Sequence, residues 1–110
     1  MAWLVRNGEV LASLEVASRR RERRRGLLGR EGITGGLALP STRWVHSLGM
    51  RFPIDVGFVD EADLVVDTVE MQPWRVARPR LQCAWILEAE AGAFERWQLQ
   101  RGDRLEIANG

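Results

Sequence analysis

Apolar positions along this chain come in short runs, each closed by turn-forming residues. Leu4-Val5-Arg6 and Glu9-Val10-Leu11 flank Asn7-Gly8. That dipeptide supplies the two positive-φ positions of a type I′ hairpin turn. The returning strand is expected to continue through Leu14 and Val16. Ser18 is placed to cap a helix over Arg19–Leu28, with Gly29 ending it. Gly32, Gly35 and Gly36 mark a loop before Leu37-Ala38-Leu39, which Pro40 closes. From residue 41 the pattern is strand-like, Trp44-Val45 leading to His46-Ser47. After Pro53 the run Ile54 to Val59 reads as a buried strand. Asp60 to Asp63 then turns the chain into Leu64–Val69, whose β-branched residues favour a pleated sheet. Gln72 to Arg80 carries Pro73 and Pro79 and reads as a loop. Ala84 to Glu90 is a further strand, with Trp85, Leu87 and Ala89 on one face and Glu88 and Glu90 on the other. A short helix over Gly92–Trp97 and a last strand over Arg104–Ile107 complete the series.

About seven short strands separated by turns predict a mainly β fold, a compact sandwich or barrel with one N-proximal surface helix and a short second helix. The chain has 110 residues and 12.5 kDa, which suits one domain over residues 1–110. A hydrophobic share of 45% beside 28% charged residues is a globular balance and excludes wholesale disorder. A lone cysteine, Cys83, excludes an internal disulfide framework. No apolar run approaches the roughly 20 residues of a membrane span. The opening residues enter a polar turn at Asn7-Gly8 too early for a secretion signal, so a soluble cytoplasmic domain is expected.

Charge changes this picture only locally. Sixteen basic residues against fifteen acidic ones leave a net charge of +1, so the molecule as a whole projects a weak field. Every basic residue is arginine, and six of them crowd into Arg19-Arg20-Arg21-Glu22-Arg23-Arg24-Arg25. Guanidinium groups so spaced repel one another along a helix unless anions or acidic side chains screen them. Two readings stand: a patch that holds phosphates, including those of a nucleic acid, or a solvated face balanced by Glu90, Glu95 or the Asp60–Asp63 turn.

Three polar residues interrupt apolar stretches and are the candidates for chemistry. His46 is the single histidine, the side chain whose unperturbed titration lies nearest neutrality. Ser47 beside it points to the opposite face of an extended chain, which argues against a direct dyad. Asp55 and Glu88 each sit in an apolar strand, where a carboxylate is costly without a partner. Either loop N–H groups or an arginine such as Arg51 or Arg23 satisfies Asp55, or burial raises its pKa for acid–base work. Facing each other, Asp55 and Glu88 would form a paired-carboxylate site of the glycosidase type. One His and one Cys cannot fill a structural zinc site, and the Gly29–Gly36 loop lacks the phosphate-cradling pattern, so no metal or cofactor is expected.

Three segments give a resemblance. Glu22-Arg23-Arg24-Arg25-Gly26-Leu27-Leu28-Gly29-Arg30 is similar to an E-R-x-x-G-L-[LM]-x-R motif. Pro53-Ile54-Asp55-Val56-Gly57-Phe58-Val59-Asp60 is similar to P-[LI]-D-[VI]-x-F-[LIV]-D, and Ile86 to Gly92 to [VI]-L-E-x-x-A-G, with Gly102-Asp103 closing the series. In this order they resemble the Domain of Unknown Function 192 family of small bacterial and archaeal proteins. The family's common W-M-K-N-T stretch falls on His46-Ser47-Leu48-Gly49-Met50, and none of those residues matches. Where the family usually has Gly after the second motif this chain has Asp63, which tolerates a left-handed backbone. The resemblance implies a compact, mostly β fold and no assigned activity.

The expectation for function is a non-enzymatic binding or interaction domain for a small ligand or a protein partner. Its pocket would gather His46, Arg51, Asp55, Glu88 and Arg23. The alternatives are a small hydrolase using Asp55, Glu88 or His46 as acid and base, and anion or nucleic-acid association through Arg19–Arg25.

Overall fold

A computed structural model describes every residue from Met1 to Gly110. Its strands are β1 (Ala2–Arg6), β2 (Glu9–Val16), β3 (Gly36–Pro40), β4 (Ile54–Val59), β5 (Val65–Met71), β6 (Trp85–Glu90) and β7 (Glu106–Asn109). Two short helices join them, α1 (Arg20–Arg25) and α2 (Ala93–Arg96). The strands form one seven-stranded sheet in the order β5-β4-β6-β3-β2-β1-β7. Only β2 and β3 run parallel, and the crossover that a parallel pair requires carries α1. The mainly β expectation is therefore met, with the strand count as expected.

The sheet curls until its ends meet. Leu64 bridges Arg104. The Val65 and Leu105 amides donate to the carbonyls of Asp103 and Asp63, each at 2.8 Å. Joining the end strands in this way removes most of the open edge that an isolated sheet would present. One apolar cluster draws on strands across the whole sheet, with Leu4, Leu14, Leu87, Val59, Val65 and Leu105 among its members, and α2 seals it with Phe94. A second cluster lies on the opposite face of β3, β4 and β6, built on Leu39, Val56, Phe58 and Ile86 and covered by Leu27, Val45 and Met50 from the long connections. Apolar cover on both faces explains why β4 is a continuous apolar run rather than an alternation, buried from end to end.

Local signals were obeyed where the backbone needed particular residues. Asn7 and Gly8 both take positive φ in the first hairpin, at 51° and 78°. Asp63 adopts the left-handed conformation expected of it, with φ 63°. Two expectations need correction. The helix spans Arg20–Arg25 rather than Arg19–Leu28, and Arg19, not Ser18, is its capping residue. The Glu22 carboxylate accepts from the Arg19 N–H at 3.0 Å, and the chain leaves the helix at Gly26, whose φ 51° and ψ −129° lie outside the ordinary L-residue regions. The stretch from residue 41 to 47 is not a strand. It pairs with the Gln72–Arg80 loop through a single bridge, His46 to Val76, and through loop hydrogen bonds. Ser47 ties the two loops together: its hydroxyl donates to the Gln72 carbonyl at 2.6 Å and accepts from the Arg75 N–H at 2.9 Å.

Candidate functional site

Alternation along β4 and β6 decides where the two strand carboxylates go. Asp55 is opposite Ala89 in the ladder, and Val56 is opposite Glu88. Side chains directly opposite one another share a face, and successive ones alternate. Asp55 and Glu88 therefore project from opposite faces of the same two strands. The paired-carboxylate arrangement is not formed.

Asp55 faces the α2 side. Its Oδ2 accepts from the N–H groups of Gly92 and Phe94, both at 3.0 Å. These are donors that the first turn of a helix leaves without an internal partner. Asp55 thus caps α2 from a neighbouring strand, and neither Arg51 nor Arg23 is its partner. Arg51 is elsewhere, exposed at the surface and 3.5 Å from Glu31.

Glu88 faces the other way, into a cavity of about 530 Å³ between α1, β3 and the 41–50 loop. The side chain is 2% exposed. Its Oε1 has no hydrogen-bond partner within the protein. Burial pushes its pKa up to about 7; the Leu27 amide and the Arg30 charge pull the other way, but neither closes a hydrogen bond on Oε1. The chain comes close to this oxygen at Gly26, where an added β-carbon would stand 2.9 Å from Oε1. Backbone conformation and contact distance both call for glycine there, and Gly26 is the helix-ending residue of the first motif. Two of the three motif segments, distant in sequence, thus meet at the cavity.

The remaining lining divides by chemistry. Leu27, Leu28, Leu39, Val45 and Met50 give apolar walls, with half-exposed Trp44 and Leu48 beside them. Arg20, Arg23, Arg24 and Arg25 come from α1 and its end, and Arg43 from the facing loop. None of these five forms an ion pair, whereas Arg6, Arg30, Arg51 and Arg80 each do. Arg23 donates instead to the Ser18 carbonyl at 2.8 Å, and Arg25 to the Leu28 carbonyl at 3.1 Å. Of the acidic residues expected to screen the cluster, Asp60 accepts from the Ala62 and Leu64 amides and Asp63 from the Trp85 indole, and neither Glu90 nor Glu95 forms an ion pair with it.

His46 lines the same cavity. Its Nδ1 accepts from the Leu48 N–H at 3.1 Å, and its ring lies 5.5 Å from that of Trp44. An accepting Nδ1 leaves the neutral ring with its proton on Nε2, a hydrogen-bond donor. Cys83 has no such access. It is buried, its thiol lies against the Thr42 and Trp85 carbonyls, and burial raises its pKa.

Of the five candidates from sequence, His46, Glu88 and Arg23 line one cavity, and Arg51 and Asp55 do not. Sequence reasoning missed Gly26, Arg43 and the apolar walls. Gly26 had a signal, a glycine between an arginine run and Leu27-Leu28. Arg43 had none, because only the return of the 41–50 loop over β3 brings it to α1.

Comparison with known proteins places the fold. A crystal structure of a protein of unknown function from Novosphingobium aromaticivorans superposes with a TM-score of 0.79 at 19% identity, covering 96% of this chain and 82% of that one. One described as a putative transcription regulator from Sinorhizobium meliloti gives 0.80 at 21%, covering 96% and 91%. At these identities the likeness shows shared fold alone. A UPF0127 protein of Pyrococcus furiosus is 40% identical over 62 residues, or 56% of this chain and 53% of the relative. A UPF0127 protein of Pyrococcus abyssi is 31% identical over the same length. These matches span about half the length of the curated relatives. The sequence profile of Domain of Unknown Function 192, described as an uncharacterized ACR, matches residues 2–107, nearly the whole chain, and the protein belongs to that family.

Proposed function

We propose that this protein is a non-enzymatic binding domain whose small-molecule ligand occupies the cavity between α1, β3 and the 41–50 loop, in contact with Glu88, His46 and Arg23. One observation carries the reading: a carboxylate oxygen is buried at the cavity with nothing in the protein to hydrogen-bond it. Leaving a buried polar group unpaired costs about 1–3 kcal/mol, and more for a charged group, so a fold that keeps one beside an open cavity is suited to receiving its partner from outside. The cavity volume falls within the usual span of small-molecule sites, about 300–1,000 Å³. Arg51 and Asp55 have no part in this reading, since one lies at the surface and the other caps α2.

A thermal-shift screen with small anions, sugars, amino acids and nucleotides tests it. Stabilisation by at least one compound, abolished in Glu88→Ala and His46→Ala, is the expected result. A silent screen would overturn the reading, and so would stabilisation that both variants retain.

A second reading is favoured by the α1 arginines, none of which forms an ion pair: association with a polyanion such as a nucleic acid through Arg19–Arg25. It predicts binding that weakens steeply as salt rises and disappears when Arg20, Arg21 and Arg24 are replaced by Ser. Binding indifferent to ionic strength would exclude it.

A further inference from the structure

The two ends of the cavity have opposite chemistry. At the inner end Glu88 is the buried acceptor, set among Leu27, Leu39 and Met50. The nearby Leu27 N–H acts on the carboxyl but closes no hydrogen bond on Oε1. At the outer end Arg20, Arg24 and Arg43 are exposed and uncommitted to any carboxylate. Between them Leu27, Leu28, Leu39, Val45 and Met50 give apolar walls, with His46 as a polar group among them. A simple anion would suit the arginines, but pressed inward it would meet a like charge wherever Glu88 is ionised. A simple amine would suit Glu88 but enter past cationic groups.

We infer that the cavity selects a two-ended small molecule, with an N–H donor such as an ammonium or amide for Glu88 and a carboxylate or phosphate for the arginines. The inference rests on the binding reading above and adds the ligand's chemistry. The inner contact is a charge-assisted hydrogen bond in a site shielded from water, and the outer one draws on the bidentate donors of guanidinium. The predominance of Leu27, Leu28, Leu39, Val45 and Met50 in the walls suits a short, largely hydrocarbon middle, with His46 able to meet one polar group on it. Each end alone is a weak ligand. Joined, they bind together, because the second contact is made without a second loss of translational freedom.

The test titrates the full chain, followed by amide NMR and by melting temperature. The two-ended probes are 4-aminobutanoate, 6-aminohexanoate and phosphoethanolamine. The one-ended probes are butanoate, hexanoate, butylammonium and inorganic phosphate. The expected result is that at least one two-ended compound binds tenfold or more tightly than its better one-ended counterpart, with shifts centred on Gly26, Leu27 and Glu88. Glu88→Gln is expected to reduce that compound to the affinity of the acid alone. The double change Arg24→Ser with Arg43→Ser is expected to reduce it to that of the amine. The arginine variants are surface changes, so they keep the test decisive should Glu88→Gln fold poorly. Acids that bind as tightly as the amino acids would overturn this inference and leave the cavity as an anion site. Two-ended binding unmoved by both sets of variants would also overturn it. Silence from every probe would refute this ligand class, while the wider screen above decides the binding reading itself.

Discussion

Asp55 and Glu88 occupy nearly the same stretch of the same two strands, one residue apart in the ladder, yet they lead opposite lives. Both are acids in apolar strands and both are buried, at 6% and 2% exposure. Asp55 has two backbone N–H donors at 3.0 Å, supplied by the start of α2. Glu88 has an oxygen with none. The period of two in a strand sends neighbouring ladder positions to different faces, and the two faces are covered by different things. On one side a helix terminus closes down on the carboxylate. On the other the long connections stand off and leave a cavity. A buried acid is therefore a structural fastening or a candidate site according to what the covering segment brings to it.

The largest expected effect comes from breaking the fastening. Asp55→Ala removes the acceptor of two hydrogen bonds and strands two helix-terminal amides beside the core. A hydrogen bond to a charged group contributes about 1.5–3 kcal/mol, so a loss of about 3–4 kcal/mol is expected in urea unfolding. A loss under about 1 kcal/mol would mean that Asp55 does not hold α2, and the contrast would collapse.

Glu88→Gln should move stability the other way. With its folded pKa raised to about 7 from an ordinary 4.5, Glu88 binds a proton more tightly in the folded chain than in the unfolded one. Its burial is accommodated in acid, where both states are protonated. Stability is then lost as pH rises from about 4.5 to about 7, and the full penalty stands above that range. The variant should flatten this slope and gain up to roughly 3 kcal/mol at pH 8, an upper bound set by 1.36 kcal/mol per pKa unit. Melting temperature measured from pH 4 to pH 8 in both proteins checks it. A wild-type curve already flat over that interval would show that Glu88 is satisfied after all.

The sheet was legible from sequence because its signals are local. A positive-φ dipeptide, alternation in β6 and a β-branched run in β5 each act within a few residues. The helix end was misplaced for a non-local reason: Gly26 is where the chain must pass close to Glu88, more than sixty positions away in sequence. The 41–47 stretch misled because Trp44 and Val45 are strand-forming residue types, whereas the backbone here pairs only with another loop. The same distinction runs through the site. Sequence flagged Glu88 and His46 as chemically unusual, and it flagged Asp55 on identical grounds. No local pattern states which face a helix will close, and that alone separates the two acids.

Gly26 offers a direct probe of the contact between α1 and the unpaired oxygen. Gly26→Ala puts an L side chain at φ 51°, ψ −129° and a methyl 2.9 Å from Glu88 Oε1. A loss of about 2 kcal/mol is expected, part from backbone strain and part from the clash. The clash part should vanish when Glu88 is also replaced by Ala, and the strain part should remain. A double-mutant cycle should then show coupling of about 1 kcal/mol. Strict additivity would separate Gly26 from the cavity and leave it a helix terminator only.

The smallest expected effect belongs to Arg51, and its smallness is informative. From sequence Arg51 and Arg23 were equal candidates to partner Asp55 and to share a pocket with Glu88. Arg51 instead meets Glu31 at 3.5 Å in an exposed pair, its own side chain 63% and Glu31's 88% accessible. Water and salt screen such a pair, and it contributes between nothing and about 0.5 kcal/mol. Arg51→Ala should therefore leave urea unfolding unchanged within about 0.5 kcal/mol. It should also leave the affinity of any compound that stabilises the wild-type chain as it was. Arg23→Ala, made alongside, should lower that affinity, because Arg23 lines the cavity. Equal responses from the two variants would mean that position relative to the cavity does not decide an arginine's role, and the division of the molecule into a fastened face and an open one would lose its functional meaning.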